Sequence, residues 1–335
     1  MSVVSIIGAG SWGTSLSILL NKNGHDVRVW SLFQEEVDML NNEREHKNNL
    51  PGVKIPDTIR FTTDMKECLE GHNYIVLVVP SQAFRDTCKI LAPYVYKDDI
   101  AIICSKGLEE ETGMRLSEVM LSEIPNSQPV ALYGPSHAEE VAAGIPTTVV
   151  AASLNREAAM KVQDLFMAPD FRVYTSPDLV GAEIGSALKN IIALCGGISD
   201  GLGYGDNSKA ALITRGLTEI ARLGKAMGAS SKTFAGLTGI GDIIVTCTSN
   251  HSRNLRAGRL IGQGYTVEEA QKEVRMVVEG ISATRAAKEL ADKYKVSMPI
   301  IQEAYKILFE GKQCKKAVYD LMTRSRKHET EDTGW

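Results

Sequence analysis

The sequence is poor in the features that would put a protein outside the cell, in a membrane or on nucleic acid. Its six cysteines (Cys68, Cys88, Cys104, Cys195, Cys247, Cys314) are scattered, with no C-x-x-C pair. That spacing offers no disulfide framework, so free buried thiols in a reducing cytoplasm are expected. Cysteines and histidines form no cluster of metal-ligand spacing, and no metal is expected. No apolar run approaches the ~18 residues of a membrane span. A strand pattern begins at Val3, with no basic and apolar leader before it, so no secretory signal is expected. The formal net charge of −4 comes from both signs mixed along the chain, which leaves no basic footprint for nucleic acid.

What is present first is length. At 335 residues the chain exceeds one typical hydrophobic core, and two domains are expected. Candidate strands lie at 3–7, 27–30, 60–62, 74–79, 100–104, 130–132 and 147–151. Tyr74-Ile75-Val76-Leu77-Val78-Val79 and Ile100-Ala101-Ile102-Ile103 are continuous apolar runs, as in parallel strands buried on both faces. Helices fit between the strands, for example at 82–91 and 114–121. The expectation for residues 1–176 is a doubly wound, Rossmann-like α/β domain. From 177 to 335 the pattern is all-helical, with segments at 179–199, 210–227, 255–261, 267–274, 281–294, 299–309 and 316–323. Ser176-Pro177-Asp178 reads as a helix start, with Ser176 as cap and Pro177 in the first turn. Thr266 and Glu269 form a capping box before another helix. The tail at 324–335 is polar.

Between the strands at 3–7 and 27–30 stands Gly8-Ala9-Gly10-Ser11-Trp12-Gly13, a G-x-G-x-x-G in strand–turn–helix context. Gly8 permits a tight turn, Gly10 lets backbone approach a pyrophosphate, and Gly13 lets helix pack on strand. The helix N-terminus then presents free N–H groups to phosphates. A dinucleotide, NAD or NADP, is the expected cofactor. An acid for the adenine ribose, or an arginine for a 2′-phosphate, belongs at the end of the second strand. There stand Trp30-Ser31-Leu32-Phe33-Gln34, with neither charge, so the choice between the two cofactors stays open.

Lys189 sits on a helical pattern beside Gly185, Ser186, Ile192 and Ala193. Glycines lower helix propensity, so a close approach is expected there. Either the lysine faces a ligand cleft, where burial would lower its pKa toward acid–base use, or it lies on a helix surface. His251-Ser252-Arg253-Asn254 opens a further helix, and Arg253 can grip a phosphate bidentately at that positive end. An N-cap with a solvated arginine is the alternative. His251 reads as a loop histidine rather than a base. Asp242, directly after Gly239-Ile240-Gly241, either orients Lys189 or a substrate hydroxyl, or serves a turn. Lys106, at the end of the strand at 100–104, is a loop lysine or a cleft lysine.

In one order and nearly end to end stand the glycine turn with Thr14, Ser105-Lys106-Gly107, Gly134-Pro135-Ser136-His137-Ala138-Glu139-Glu140, Glu183-Ile184-Gly185-Ser186-Ala187-Leu188-Lys189-Asn190, Gly201-Leu202-Gly203-Tyr204-Gly205-Asp206-Asn207, Gly236-Leu237-Thr238-Gly239-Ile240-Gly241-Asp242, the 251–254 segment and Val277-Val278-Glu279-Gly280. Taken together, these segments resemble the bacterial cytoplasmic type of NAD(P)-dependent glycerol-3-phosphate dehydrogenase. The resemblance implies that Ser11, Trp12, Lys106, Ala138, Arg253, Val277 and Glu279 line the dinucleotide site. It implies that Lys106, Gly134, Ser136, Asp242, Ser252, Arg253 and Asn254 hold glycerol phosphate. Lys189 would be the catalytic proton donor and acceptor, with Asn190 and Thr246 close by. Many members carry a basic residue where Leu32 and Phe33 stand, so Phe33 is a cofactor-site position at which strong NADP preference is in doubt. The resemblance further implies dihydroxyacetone phosphate and sn-glycerol 3-phosphate as substrate pair, supply of glycerophospholipid synthesis, and pairing of helical domains into a homodimer. Two rivals remain. A β-hydroxy-acid or sugar-acid dehydrogenase would place a carboxylate where the phosphate is expected, and a non-catalytic nucleotide sensor would lack the lysine.

Overall fold

A computed structural model describes residues 1–275 and 277–329; residues 330–335 of the polar tail lie outside them. Through residue 176 the chain alternates between strand and helix. In order these are β1 (Val3–Ile7), α1 (Ser11–Lys22), β2 (Asp26–Trp30), α2 (Gln34–Glu43), a hairpin of β3 (Glu45–His46) and β4 (Leu50–Lys54), β5 (Arg60–Thr62), α3 (Met65–Leu69) and β6 (Tyr74–Leu77). There follow α4 (Phe84–Leu91), β7 (Ile100–Ile103), α5 (Leu116–Glu123), β8 (Gln128–Tyr133), α6 (Ala138–Ala142), β9 (Thr147–Ala152), α7 (Arg156–Phe166) and β10 (Phe171–Ser176).

One sheet runs β10-β9-β8-β7-β6-β1-β2-β5. Neighbours are parallel, except β8 and β9, which are antiparallel. The apolar runs of β6 and β7 are buried at the centre, and an apolar cluster lies on each side of the sheet. The chain leaves β1 toward β2 and returns to β6 on the other side. That reversal opens a crevice at the carboxyl ends of β1 and β6, where open α/β sheets bind ligands. β10 is an addition to the expected strands. Phe171 and Val173 are buried while Arg172 and Tyr174 are exposed, because β10 is the sheet edge. Its signal is a period of two, not a solid apolar run.

From residue 179 the described chain is helical: α8 (Leu179–Gly201), α9 (Asp206–Ala226), α10 (Ser231–Phe234), a π turn at Leu237–Gly241, α11 (Asp242–Thr248) and α12 (Arg253–Gly262). α13 (Val267–Val274), α14 (Glu279–Lys293), α15 (Pro299–Phe309) and α16 (Cys314–Met322) complete it. The capping box of Thr266 and Glu269 opens α13. The start of α8 differs from expectation. Asp178, not Ser176, is the cap, accepting from Gly181 N at 2.9 Å, so Pro177 precedes the helix. Asp178 wins because its carboxylate also accepts from Ser230 N at 2.9 Å, joining α8 to α10.

α8 also corrects the expectation about apolar runs. By length and composition it could cross a membrane, with a mean hydropathy of 1.3 over its most apolar window, 89% of which is buried in the protein. It is the axis of the helical domain. A Cβ added at Gly197 would meet Leu255 O at 2.1 Å, and one at Gly258 would meet Leu194 O at 2.1 Å. The backbones of α8 and α12 therefore touch, and any side chain there would overpack the crossing at about 1–3 kcal/mol. The same crossing carries the start of α12 to Asn190. Buried Glu183 docks α8 on the sheet domain, accepting from Ser117 N at 2.8 Å and from Arg115.

Candidate active site

The glycine turn closes the crevice from the sheet side. Gly8 has a φ of +116°, and its N–H donates to Trp30 O at 2.9 Å, tying the turn to β2. A Cβ at Gly13 would meet Gly8 O at 1.9 Å, so only glycine lets α1 start there. Gly10 is different: a Cβ there meets nothing within 4 Å. The space beside it is open, and no side chain among the described residues caps α1. The indole Nε1 of Trp12 is buried with no partner among those residues. An open cradle, an uncapped helix start and an orphan donor fit a dinucleotide diphosphate. Ala138 closes one flank, its carbonyl accepting from Ser15 Oγ at 2.7 Å.

Beyond the carboxyl ends of β7 and β8, where Lys106 and Gly134 lie, is a network around Asp242, whose side chain is 1% exposed. Its Oδ1 accepts from Lys189 Nζ at 2.5 Å and its Oδ2 from Lys106 Nζ at 3.0 Å. Lys106 Nζ also donates to Gly134 O at 3.1 Å, and Ser136 Oγ to the same carbonyl at 3.0 Å. Thr246 Oγ1 accepts from Lys189 Nζ at 2.9 Å and donates to Asp242 O at 2.6 Å. Lys189 is thus held on two sides. The π turn delivers Asp242, and Gly185 makes room for it: a Cβ there would meet Thr238 O at 2.2 Å. The glycine beside Lys189 therefore admits backbone, not ligand.

Two cations share one buried carboxylate, which leaves an excess positive charge for an incoming anion. Burial is the main cause that lowers the Lys189 ammonium to about 8; Asp242 works against it and Lys106 adds to it. His137 packs against His251, with ring centroids 5.8 Å apart. Burial first, and then Lys189, lowers its pKa, and its Nε2 is buried without a partner among the described residues. Sequence reasoning gave His137 no separate role. His251 is exposed and lies in a loop, as expected.

The α12 end approaches from the other side. Ser252 caps α12, its Oγ accepting from Leu255 N at 3.2 Å. Arg253 takes the first helical position, with Nη2 at 3.8 Å from Glu279 Oε1. Glu279 Oε2 accepts from Asn190 Nδ2 at 2.8 Å, and Asn254 Oδ1 accepts from Gly280 N at 2.8 Å. Lys106, Gly134, Ser136, Lys189, Asn190, Asp242, Thr246, Asn254 and Glu279 so form one connected wall with Arg253 at its edge. Val277 lies apart from those contacts, exposed before α14, and Phe33 is 66% exposed at the end of β2. Arg28 turns away from that end and donates to Glu67 O at 3.2 Å. The carboxylate of Glu36 instead folds back onto Ser31, so the end of β2 does carry a negative charge. A search confined to residues 30–34 misses it, because it returns from the first turn of α2.

A dinucleotide cradle at a sheet reversal, facing a buried lysine on a helical domain, defines a dinucleotide-dependent oxidoreductase. The model of the NAD-dependent glycerol-3-phosphate dehydrogenase N-terminus matches residues 3–159, and that of the C-terminus matches residues 178–319. The glycerol-3-phosphate dehydrogenase [NAD(P)+] of Agathobacter rectalis is 56% identical over 335 residues, covering 100% of both chains. That of Bacillus subtilis is 51% identical over 99% of this chain and 97% of its own. The crystal structure of glycerol-3-phosphate dehydrogenase from Coxiella burnetii superposes with a TM-score of 0.93 at 38% identity, over 96% of this chain and 99% of that one. This chain belongs to the NAD-dependent glycerol-3-phosphate dehydrogenase family.

Proposed function

We propose that this chain interconverts dihydroxyacetone phosphate and sn-glycerol 3-phosphate with NAD(H) or NADP(H), and that Lys189 is its general acid and base. Residues 1–176 would bind the dinucleotide and residues 177–335 the substrate. The observation that carries the reading is Lys189 itself. It is buried, lowered to about 8 and held by Asp242 and Thr246.

A bound nicotinamide dinucleotide would supply or take up a hydride at the substrate's central carbon. Gly8, Gly10, Ser11, Trp12 and Gly13 would hold its diphosphate, with Ala138, Val277 and Glu279 on the flanks. In the reducing direction Lys189 Nζ–H donates a proton to the ketone oxygen as charge develops there. In the oxidising direction neutral Lys189 takes the hydroxyl proton. Asp242 and Thr246 fix the Nζ position, so little reorganisation is left for the reaction. Arg253, the start of α12 at Ser252 and Asn254, and Lys106 would hold the phosphate. With Gly134 and Ser136 on the other side, phosphate binding becomes orientation of the distant carbonyl. The resemblance also supports a homodimer, a place in the cytoplasm and supply of glycerophospholipid synthesis; sedimentation velocity decides the first.

The test follows nicotinamide absorbance with dihydroxyacetone phosphate and, in parallel, a panel of 2- and 3-oxo acids. Dihydroxyacetone phosphate is expected to be consumed and the acids left untouched. Turnover of an acid, with none of the phosphate, would assign the 252–254 cluster to a carboxylate and refute this reading.

A further inference from the structure

We propose that Glu36, held at the end of β2 by Ser31 and His46, makes this chain select NADH over NADPH. The inference rests on the reading above, that a nicotinamide dinucleotide binds with its diphosphate at the glycine turn after β1. In that fold the 2′ position of the adenosine ribose comes to the end of the second strand. There Ser31 follows directly on β2, is 3% exposed, and donates its hydroxyl to Glu36 Oε2. The other oxygen, Oε1, lies 3.0 Å from Nε2 of His46, a side chain 1% exposed. Glu36 is thereby fixed from both sides.

His46 apart, the cavity wall beside Glu36 holds no cationic side chain among the described residues. A cavity of about 570 Å³ opens at this point, lined among others by Leu32, Phe33, Glu36, Met39 and His46, and by neither lysine nor arginine among the described residues. Leu32 and Phe33 are each 66% exposed, adjoining apolar surfaces on which a planar base can rest. His46 lines this cavity, and its Nδ1 is buried without a partner among the described residues. Burial pushes the Glu36 carboxyl up, but the bonds from His46 and Ser31 outweigh it, so the group lies below its ordinary value and is ionised at neutral pH.

Such a carboxylate accepts a hydrogen bond from a 2′-hydroxyl. A 2′-phosphate brings roughly −1.5 to −2 charges at neutral pH to the same place. Two like charges beside an apolar surface repel, and no arginine among the described residues lines the cavity to relieve them.

Dissociation constants for NADH and NADPH, measured by tryptophan fluorescence quenching without substrate, test this on wild type, Glu36→Gln and Phe33→Arg. Wild type is expected to bind NADH at least about tenfold more tightly. Glu36→Gln should narrow the NADH-to-NADPH ratio about tenfold, and Phe33→Arg, which adds a cation on an exposed side chain, should narrow it as well. The ratio is decisive because a merely structural loss weakens both cofactors alike. If Glu36→Gln binds neither, Phe33→Arg decides, and an unchanged ratio there overturns the proposal. So does tighter NADPH binding by wild type, or an unchanged ratio in a folded Glu36→Gln. Turnover of dihydroxyacetone phosphate with an NADPH-favouring ratio sinks this proposal alone. An NADH-favouring ratio without turnover sinks only the proposed reaction.

Discussion

Lys189→Ala is expected to lower kcat by about 10²–10⁴-fold while NADH still binds. The loss is that of a positioned proton at the ketone oxygen. Nothing else in the wall replaces it directly. Lys106 is the nearest cation in the network, but it is tied to Asp242 Oδ2 and to Gly134 O. The substitution also removes a partner from a buried carboxylate, a change that costs about 3–5 kcal/mol when no other partner remains. Here Lys106 stays on Asp242, so the fold should survive, and urea unfolding of the variant checks that. A folded Lys189→Ala enzyme with near-normal kcat would remove Lys189 from the chemistry.

Arg253→Ala is expected to raise the KM for dihydroxyacetone phosphate on the order of 10–100-fold, from the loss of a charge-assisted bidentate contact worth about 1.5–3 kcal/mol. The side chain is 36% exposed and only 3.8 Å from Glu279, so its ion pair adds little to the fold and its fork remains free for a ligand. Arg253→Lys should recover only part of the affinity, since an ammonium lacks the planar fork. Titration showing unchanged substrate affinity in Arg253→Ala would move the phosphate site elsewhere.

Much of this was legible because local sterics speak in local sequence. The glycine turn works through contacts within a few residues: Gly13 exists for Gly8 O, and the pattern of three glycines says so. The buried strands announce themselves by solid apolar runs. Lys189 stands out by its small neighbours, and Arg253 by its place at a helix start. What depends on long-range partners was hidden. Asp242 takes its role from Lys106, 136 residues earlier, and from Lys189. Gly197 means little until Leu255 is laid across it. The acid near the ribose end, Glu36, is displaced into α2, and only its return to Ser31 shows what it serves. β10 was missed because an edge strand needs only half its residues apolar.

The most direct test of Lys189 is the pH dependence of kcat/KM in both directions. Lowered to about 8, the group is protonated below that pH and neutral above it. Reduction of dihydroxyacetone phosphate needs the protonated form, so its kcat/KM should fall as pH rises through about 8. Oxidation of sn-glycerol 3-phosphate needs the neutral form, so its kcat/KM should fall as pH drops through the same value. Asp242→Asn, which removes the carboxylate that raises the lysine's pKa, should move both inflections to lower pH. Opposed profiles sharing one inflection are the predicted result. Profiles that bend the same way, or an inflection that persists in Lys189→Ala, would contradict the assignment of the proton to Lys189.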